Sequence, residues 1–492
     1  MTMASLNPYL IIGIIAAYFL MLIIISYRTS KNDENSSFFI ANRNSKWFLV
    51  AIGMIGASLS GVTFISIPGK VGSPGLNENF SYLQMVFGYL LGYLVVAFVL
   101  LPIYYKYQLT SIYTYLKDRL GFYAYKAGSG YFILSRIVGA SLRLYLVSIV
   151  FQIFVADAFG VPYWVTVALT IFLIWLYTHR GGIKTIVITD TIQTVAMILA
   201  VLVTIYYIVT SLNLGISEIW AEVSYVDFDK IFYFDKSWAD QNNFFKQFFG
   251  GALITIVMTG MDQDMMQKNL TCRNLKEAQK NMITFSIILV IVNIIFLTLG
   301  ALLYIFSFNN CIPIPEKTDH LYPILAFNYL PPAVGVAFII GLIAAAYSSA
   351  DSALTSLTTA FCYDFLDMES SDLTESSKLK TRRSVHIGFS IVLFFVIIIF
   401  STLNTDAVIN ELFATAALTY GPILGLFMFA MFTKRKLDDR FVLAICIVAP
   451  ILTFFLNKYS EDLFNGFKFG FLTYALNGFL TFVGCFIFSS KK

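Results

Sequence analysis

Apolar segments long enough to cross a lipid bilayer recur along the whole chain. A membrane-spanning helix needs about 20 mostly apolar residues to cover ~30 Å of hydrocarbon. Because 58% of the residues are hydrophobic and only 13% are charged, the composition excludes a soluble enzyme, a nucleic-acid-binding protein and a disordered scaffold. We therefore predict an all-α integral membrane protein with thirteen spans, at residues 8–28, 46–69, 80–105, 127–157, 161–179, 184–212, 244–265, 282–308, 324–361, 384–402, 405–432, 440–457 and 467–490.

The polar segments between these spans differ in positive charge. Alternate segments are rich in Lys and Arg and together hold 24 of the 33 such residues in the chain. Cytoplasmic loops of membrane proteins carry this excess. The pattern predicts a cytoplasmic C-terminus and, with an odd number of spans, an N-terminus on the outside. No polar segment is longer than a loop, so residues 1–492 are predicted to form a single membrane domain, with the first apolar segment retained as a helix.

Two of the predicted spans contain residues that interrupt a helix near the middle of the membrane. Residues 53–69 include four Gly, three Ser and one Pro, and residues 250–260 include three Gly. An unwound turn frees backbone carbonyls, which then need an ion, water or another polar partner. The two spans correspond if residues 46–212 and 244–432 form two five-helix halves, and paired interrupted spans point to the binding site of a transporter. Packing of helices through small residues is the alternative explanation.

Four ionisable residues within predicted spans are candidates for a functional role. Asp190 and Asp351 lie in apolar surroundings, and Arg136 and Arg143 lie in the fourth span. Charged groups at membrane depth are costly unless paired, so each is a candidate functional residue. The alternative for each is a structural ion pair, for example between Arg143 and either Asp190 or Asp157.

A strip of side-chain oxygens is predicted on the ninth span. Ser348, Ser352 and Thr355 are spaced i, i+4 and i+7 and share one helical face, which Ser349 and Asp351 flank. Hydroxyl and carbonyl oxygens with few carboxylates suit a hard monovalent cation better than a divalent one. The strip therefore predicts a sodium site. Serine hydroxyls that bond back to their own helix are the alternative.

Residue clusters typical of enzymes and metal centres are missing from the sequence. The five Cys show no Cys-x-x-Cys spacing, and the three His are far apart. A channel would need a repeated filter, and a receptor would need an output domain. We therefore expect no catalytic residues, and sodium ions, one or two, as the only cofactor.

Four motifs make the chain resemble the sodium/solute symporter family along nearly its whole length. They are LSGVTFISIPG (59–69), GGIKTIVITDTIQ (181–193), MDQDMMQKN (261–269) and AAAYSSADSALTS (344–356). The resemblance implies a leucine-transporter-type inverted repeat, in which residues 46–212 are related to residues 244–432. It also implies one extra helix before the repeat (8–28), two after it (440–490), a bacterial inner-membrane location and a monomeric protein.

The resemblance also implies two cation sites. The main sodium site would comprise carbonyls of Gly56, Leu59 and Ala345 with the hydroxyls of Ser348 and Ser349. A second cation site of some members matches Asp190, Ser348 and Ser352 here. Asp351 stands where those members carry Ser, so it would either strengthen the second site or replace it with a proton site.

The solute site is implied by positions that contact solute in family members, including sialic acid carriers. These positions match Ser60, Thr63 and Gln84, and the seventh span adds Thr255 and Thr259. The arginine that binds the sialic acid carboxylate aligns with Gly139, and Arg136 and Arg143 lie on the same helical face.

These features predict a sodium-coupled symporter that imports a small polar organic solute by alternating access. The solute would be an organic anion, such as a sialic acid or another carboxylate, or a sugar. A proton-coupled symporter that uses Asp190 and Asp351 is the alternative.

Overall fold

The computed structural model describes residues 8–29, 35–368, 371–372, 374–402 and 408–491. Helices make up most of this part of the chain. The N-terminal helices are α1 (Pro8–Thr29), α2 (Asn35–Ile40), α3 (Trp47–Ser58), α4 (Gly61–Lys70), α5 (Tyr82–Val95), α6 (Leu101–Lys106), α7 (Thr114–Leu120), α8 (Phe122–Phe151), α9 (Tyr163–Ser211) and α10 (Ile219–Tyr225).

The C-terminal part continues with ten more helices and one short antiparallel strand pair. Turns of π-helix extend α5, α8, α11 and α15. The helices are α11 (Phe244–Thr255), α12 (Gln263–Asn269), α13 (Leu275–Asn309), α14 (Leu321–Asn328), α15 (Pro332–Ala360), α16 (Glu375–Thr402), α17 (Val408–Phe432), α18 (Val442–Lys458), α19 (Ser460–Leu463) and α20 (Thr473–Ile487), and the strands are β1 (Lys436–Leu437) and β2 (Ser489–Ser490).

The predicted all-α membrane architecture is confirmed. Within the described residues, ten helices have the length and apolarity to cross a bilayer, and two bent pairs, α3 with α4 and α11 with α12, add two spans. The number thirteen is not confirmed, because the remaining apolar helix, Tyr163–His179, is shorter than a full span. Residues 405–407 of the eleventh predicted span lie outside the described residues.

Several span boundaries differ from the prediction. The ninth span was predicted to start at residue 324, but α14 ends at Asn328 and a new helix starts at Pro332. Proline cannot continue a helix and is favoured in the first helical turn. The fourth and tenth spans begin earlier, at Phe122 and Glu375, because the helices extend beyond the apolar segment that would cross the membrane.

The centre of the molecule is formed by α15. Every residue from Gly341 to Ala360 is buried, and α15 packs against α8, α9 and the pair α3/α4. By contrast, α1, α16 and α18 lie on the outside, with only 28% of their apolar windows buried. Polar residues of α15 are therefore held deep inside the bundle, next to the break in α3/α4.

A close contact between α5 and α11 requires glycine. A Cβ atom placed at Gly251 would lie 2.2 Å from the carbonyl oxygen of Met85. We expect Gly251→Ala to lower the free energy of unfolding by about 1–3 kcal/mol, because overpacking forces the helices apart. Thermal unfolding of the purified protein would measure this as a lower Tm. Gly388→Ala on α16, where the added Cβ meets no atom within 4 Å, is the control, and equal effects of the two variants would contradict the prediction.

Candidate ion and solute site

The second predicted span is broken at Leu59 and Ser60. The helices α3 and α4 meet at an angle of 59°. Leu59 has ψ of 85° and Ser60 has ψ of 176°, both outside the helical range. The last carbonyls of a helix have no following turn to donate hydrogen bonds to them, and Gly56 and Leu59 lie in this region. The predicted interruption is therefore present, and it precedes Pro68, which lies within α4.

Two serines of α15 face this break. Ser349 Oγ lies 3.5 Å from the carbonyl oxygen of Ala57. Ser348 Oγ lies 3.1 Å from the position that a Cβ of Gly56 would take. The Ser348 hydroxyl is fully buried and has no hydrogen-bond partner in the described structure. Buried polar atoms are nearly always paired, so this hydroxyl is a candidate ligand for a cation.

The five residues implied for the main sodium site come from these two elements. Gly56 and Leu59 lie at the end of α3, and the other three lie within one turn of α15. The set contains only neutral oxygens, which is the ligand chemistry of a hard monovalent cation. The alternative in which serines bond back to their own helix applies to Ser356, whose hydroxyl donates to the Ala353 carbonyl.

Three residues of the implied second cation site, Asp190, Asp351 and Ser352, have other partners, whereas Ser348 has none in the described structure. Asp190 Oδ2 lies 2.7 Å from Lys268 Nζ, and both side chains are buried. The Tyr177 hydroxyl donates to Asp351 Oδ2 over 2.9 Å. Ser352 donates to Asp264. Lys268 and Asp264 of α12 thus contact Asp190 and Ser352, because α12 is bent into the bundle and brings its own charges to them.

Arg136 takes part in a buried cluster of charges. Its guanidinium forms ion pairs with Asp262 and, over 3.2 Å, with Asp264. The Tyr420 hydroxyl donates to Asp262. The structure thus ties α8, α12 and α17 together at this point. Two carboxylates of the chain thus balance the charge of Arg136, which also lines the cavity next to the break.

A cavity lies next to the break and contains most of the predicted solute contacts. Ser60, which precedes α4, and Thr63 of α4 line one part of it. Thr255 of α11 and Thr259 of the following π turn line another part. Arg136 lines the cavity from α8. The other lining side chains that can form hydrogen bonds are Ser58, Tyr82, Tyr89, Tyr93, Arg143 and Asn293.

Arg143 is the cation of this cavity that lacks a carboxylate partner. It forms no ion pair with any residue that the structure describes, and its buried Nε has no hydrogen-bond partner. The pairings of Arg143 with Asp190 or Asp157 considered from the sequence do not occur. A smaller adjoining cavity is lined by Gly139, Arg136 and Arg143. A guanidinium in this position can bind a carboxylate through two parallel hydrogen bonds.

Gln84 does not line the cavity, contrary to the prediction. Its amide nitrogen donates to the Asn242 carbonyl over 3.1 Å. Its amide oxygen accepts from the backbone N–H of Tyr233 over 2.9 Å. Gln84 thus fixes the long loop before α11 onto α5.

Three charged residues of the site, Asp262, Asp264 and Lys268, are not among those predicted from the sequence. All three lie in the motif at residues 261–269 and are buried. The signal for them was the bend itself, since a helix interrupted at Gly260 can turn the following residues inward. The pair α11/α12 is bent by 69°.

Comparison with known proteins shows similarity to sodium-coupled carriers. The family model described as the sodium:solute symporter family matches residues 38–439. The sodium/sialic acid symporter NanT of Aliivibrio fischeri is 25% identical over 475 residues, which cover 92% of this chain and 89% of that protein. The sodium/sialic acid symporter SiaT of Proteus mirabilis is 25% identical over 473 residues, which cover 94% and 92%.

A solved structure has the same fold. It is a Na⁺-coupled sialic acid symporter in a substrate-bound, outward-open state. The two chains superpose with a TM-score of 0.83 over 98% of this chain and 99% of the other, at 22% sequence identity.

Proposed function

The chain belongs to the sodium:solute symporter family, and from this premise we propose that it is a sodium-coupled symporter of a small organic anion. The observation that carries the proposal is the buried Ser348 hydroxyl, which has no hydrogen-bond partner and faces the break in α3/α4. Na⁺ would bind there to the carbonyls of Gly56, Leu59 and Ala345 and to the hydroxyls of Ser348 and Ser349.

Ion and solute binding are coupled through the break. Leu59 belongs to the ion site, and the next residue, Ser60, lines the cavity. Na⁺ that bridges α3 and α15 therefore fixes the backbone that presents Ser60 and Thr63 to the solute. A ligand that binds a prearranged site loses less entropy and binds more tightly.

Alternating access follows from movement of the two halves, residues 46–212 and 244–432. Opening of the cavity past α12 requires the ion pairs of Arg136 with Asp262 and Asp264 to separate. Entry of Na⁺ down its concentration gradient supplies the energy. The membrane potential adds about 2.3 kcal/mol per 100 mV for each net charge that crosses, and one Na⁺ that crosses with one monovalent anion carries no net charge.

The solute is assigned as an anion on the basis of Arg143. This guanidinium faces the cavity without a carboxylate partner, so a carboxylate of the solute would form the missing ion pair with it. The hydroxyls of Tyr82, Tyr89, Thr255 and Thr259 suit a solute with hydroxyl or amide groups. A sialic acid, the solute of the relatives named above, has both features, whereas an uncharged sugar would leave Arg143 unpaired.

Proton coupling through Asp190 and Asp351 has less support. Lys268 pairs with Asp190, so this carboxylate already has a cationic partner within the chain. The related carriers described above are sodium-coupled.

We further propose that the protein lies in a bacterial inner membrane as a monomer, with the N-terminus outside and the C-terminus in the cytoplasm.

Thermal stability of the detergent-purified protein tests this proposal. A ligand that binds only the folded state raises Tm. We expect a higher Tm in NaCl than in KCl at equal ionic strength, and a further rise with one member of a panel of carboxylates. Equal Tm values in the two salts, with a Tm that instead depends on pH, would favour the proton-coupled alternative.

Ser349→Ala tests the main sodium site. The variant loses one oxygen contact to Na⁺, and such a contact to a charged group is worth about 1.5 kcal/mol. We therefore expect the Na⁺ concentration for half-maximal stabilisation to rise about tenfold or more. Ser356→Ala is the matched control, because Ser356 is equally buried on α15 but bonds to its own helix. An unchanged Na⁺ requirement in Ser349→Ala would exclude this residue from the site.

A further inference from the structure

We propose that the ammonium of Lys268 is a built-in cation that fills the second cation position, so that a single Na⁺ binds in each transport cycle. The inference rests on the proposed function and specifies how many ions it uses. It follows from the side chains around Asp190.

Asp190 and Lys268 form a buried ion pair at the predicted second cation site. Lys268 Nζ lies 2.7 Å from Asp190 Oδ2, and the two side chains are 1% and 0% exposed. Such a pair has no contact with solvent, and the ammonium stands where a bound cation would neutralise Asp190. The pair joins α12, which belongs to a bent span, to α9.

The ion pair lies directly beside the main sodium site. A Cβ placed at Gly53 would be 3.1 Å from the Cβ of Asp190. A Cβ placed at Gly56 would be 3.1 Å from Ser348 Oγ and 3.4 Å from the Asp190 carbonyl oxygen. A second Na⁺ on Asp190 would therefore be close to both Lys268 and the first Na⁺, and like charges at such distances repel strongly in a buried site.

Two of the remaining ligands of a second site, Ser352 and Asp351, each have one hydrogen-bond partner, whereas Ser348 Oγ, Asp190 Oδ1 and Asp351 Oδ1 have none within the described structure. The Ser352 hydroxyl donates to Asp264, and Asp351 accepts a hydrogen bond from Tyr177. The Lys268 ammonium and one Na⁺ on the α15 hydroxyls together offset the two carboxylates, Asp190 and Asp351. No further cation is needed to balance these groups.

A tethered cation has a different role from a transported one. Lys268 keeps α12 attached to α9 by charge attraction in the state described here, as a bound ion would. Because it cannot leave the protein, it uses none of the Na⁺ gradient. The carrier would thus concentrate its solute less steeply than one that moves two Na⁺, at a lower cost in ions.

Equilibrium binding of ²²Na⁺ to the purified full-length protein at pH 8 counts the sites. We expect one Na⁺ per chain in the wild type and two in Lys268→Gln, whose amide keeps a hydrogen bond to Asp190 but leaves its charge unbalanced. Lys268→Arg, which retains the positive charge, is the matched control and should bind one. Lys268→Met is a second neutral variant in case Lys268→Gln does not fold.

The outcomes separate this inference from the proposed function. Two Na⁺ per wild-type chain would overturn the inference alone, as would one Na⁺ in a folded neutral variant. No specific ²²Na⁺ binding to the wild type would overturn the proposed sodium coupling itself. If neither neutral variant folds, the wild-type count decides.

Discussion

Replacement of Arg136 by Met is expected to lower the free energy of unfolding by about 3–5 kcal/mol. Removal of one partner from a buried ion pair leaves the other charge uncompensated in a medium of low polarity. Here two carboxylates, Asp262 and Asp264, would remain buried without their guanidinium. Thermal unfolding of the detergent-purified variant would show a much lower Tm, and its yield of folded protein would fall.

Arg143→Met provides the matched control for this loss of stability. Arg143 lies on the same helix, seven residues further along, but forms no ion pair with the described residues. Its Tm without solute should stay close to that of the wild type. Equal losses of stability in the two variants would contradict the different roles assigned to the two arginines.

Replacement of Arg143 by Gln is expected to abolish tight binding of a carboxylate solute. Loss of one partner of a buried, hydrogen-bonded charge pair costs about 2–5 kcal/mol, which corresponds to a rise in Kd of roughly 30-fold to several thousandfold. The Kd of the carboxylate that stabilises the wild type would be measured by titration in NaCl. Lys at this position keeps the charge without the planar fork and should give an intermediate Kd.

Measurement of Na⁺ binding distinguishes the loss of a solute contact from general damage to the fold. Arg143→Gln should keep the wild-type dependence of Tm on Na⁺ in the absence of solute, because Arg143 is not part of the ion site. Wild-type affinity for the carboxylate in this variant would show that another group binds the anion.

The break in the second span could be predicted because its cause is local. Gly, Ser and Pro within residues 53–69 weaken the helix wherever the segment is placed. The opposing residues Ser348 and Ser349 could be predicted from helical spacing, and the family resemblance placed both with Gly56 and Leu59. The side chains that share the cavity come from distant parts of the chain, and the resemblance supplied them as well.

The charges of α12 could not be predicted in the same way. Lys268 was counted with the positive residues of a cytoplasmic loop, because charge counting does not tell a solvated loop from a helix that turns back into the bundle. The 69° bend between α11 and α12 turns this segment back into the bundle. Once α12 is inside, Asp262 and Asp264 meet Arg136, and Lys268 meets Asp190.

Gln84 shows a second limit of reasoning from sequence. A polar residue in an apolar span is a functional candidate, but it can equally satisfy the backbone of a loop. Its partners, Asn242 and Tyr233, are about 150 residues away and belong to a loop whose path the sequence does not define. Only the fold distinguishes the two roles.

Uptake by proteoliposomes tests the central claim, sodium-coupled symport, most directly. The protein would be reconstituted and supplied with the radiolabelled carboxylate that most enlarges its stabilisation by Na⁺. We predict that an inward Na⁺ gradient drives accumulation above the external concentration, and that an equal K⁺ gradient does not. Accumulation that is independent of Na⁺ and is driven by an inward proton gradient would contradict sodium coupling.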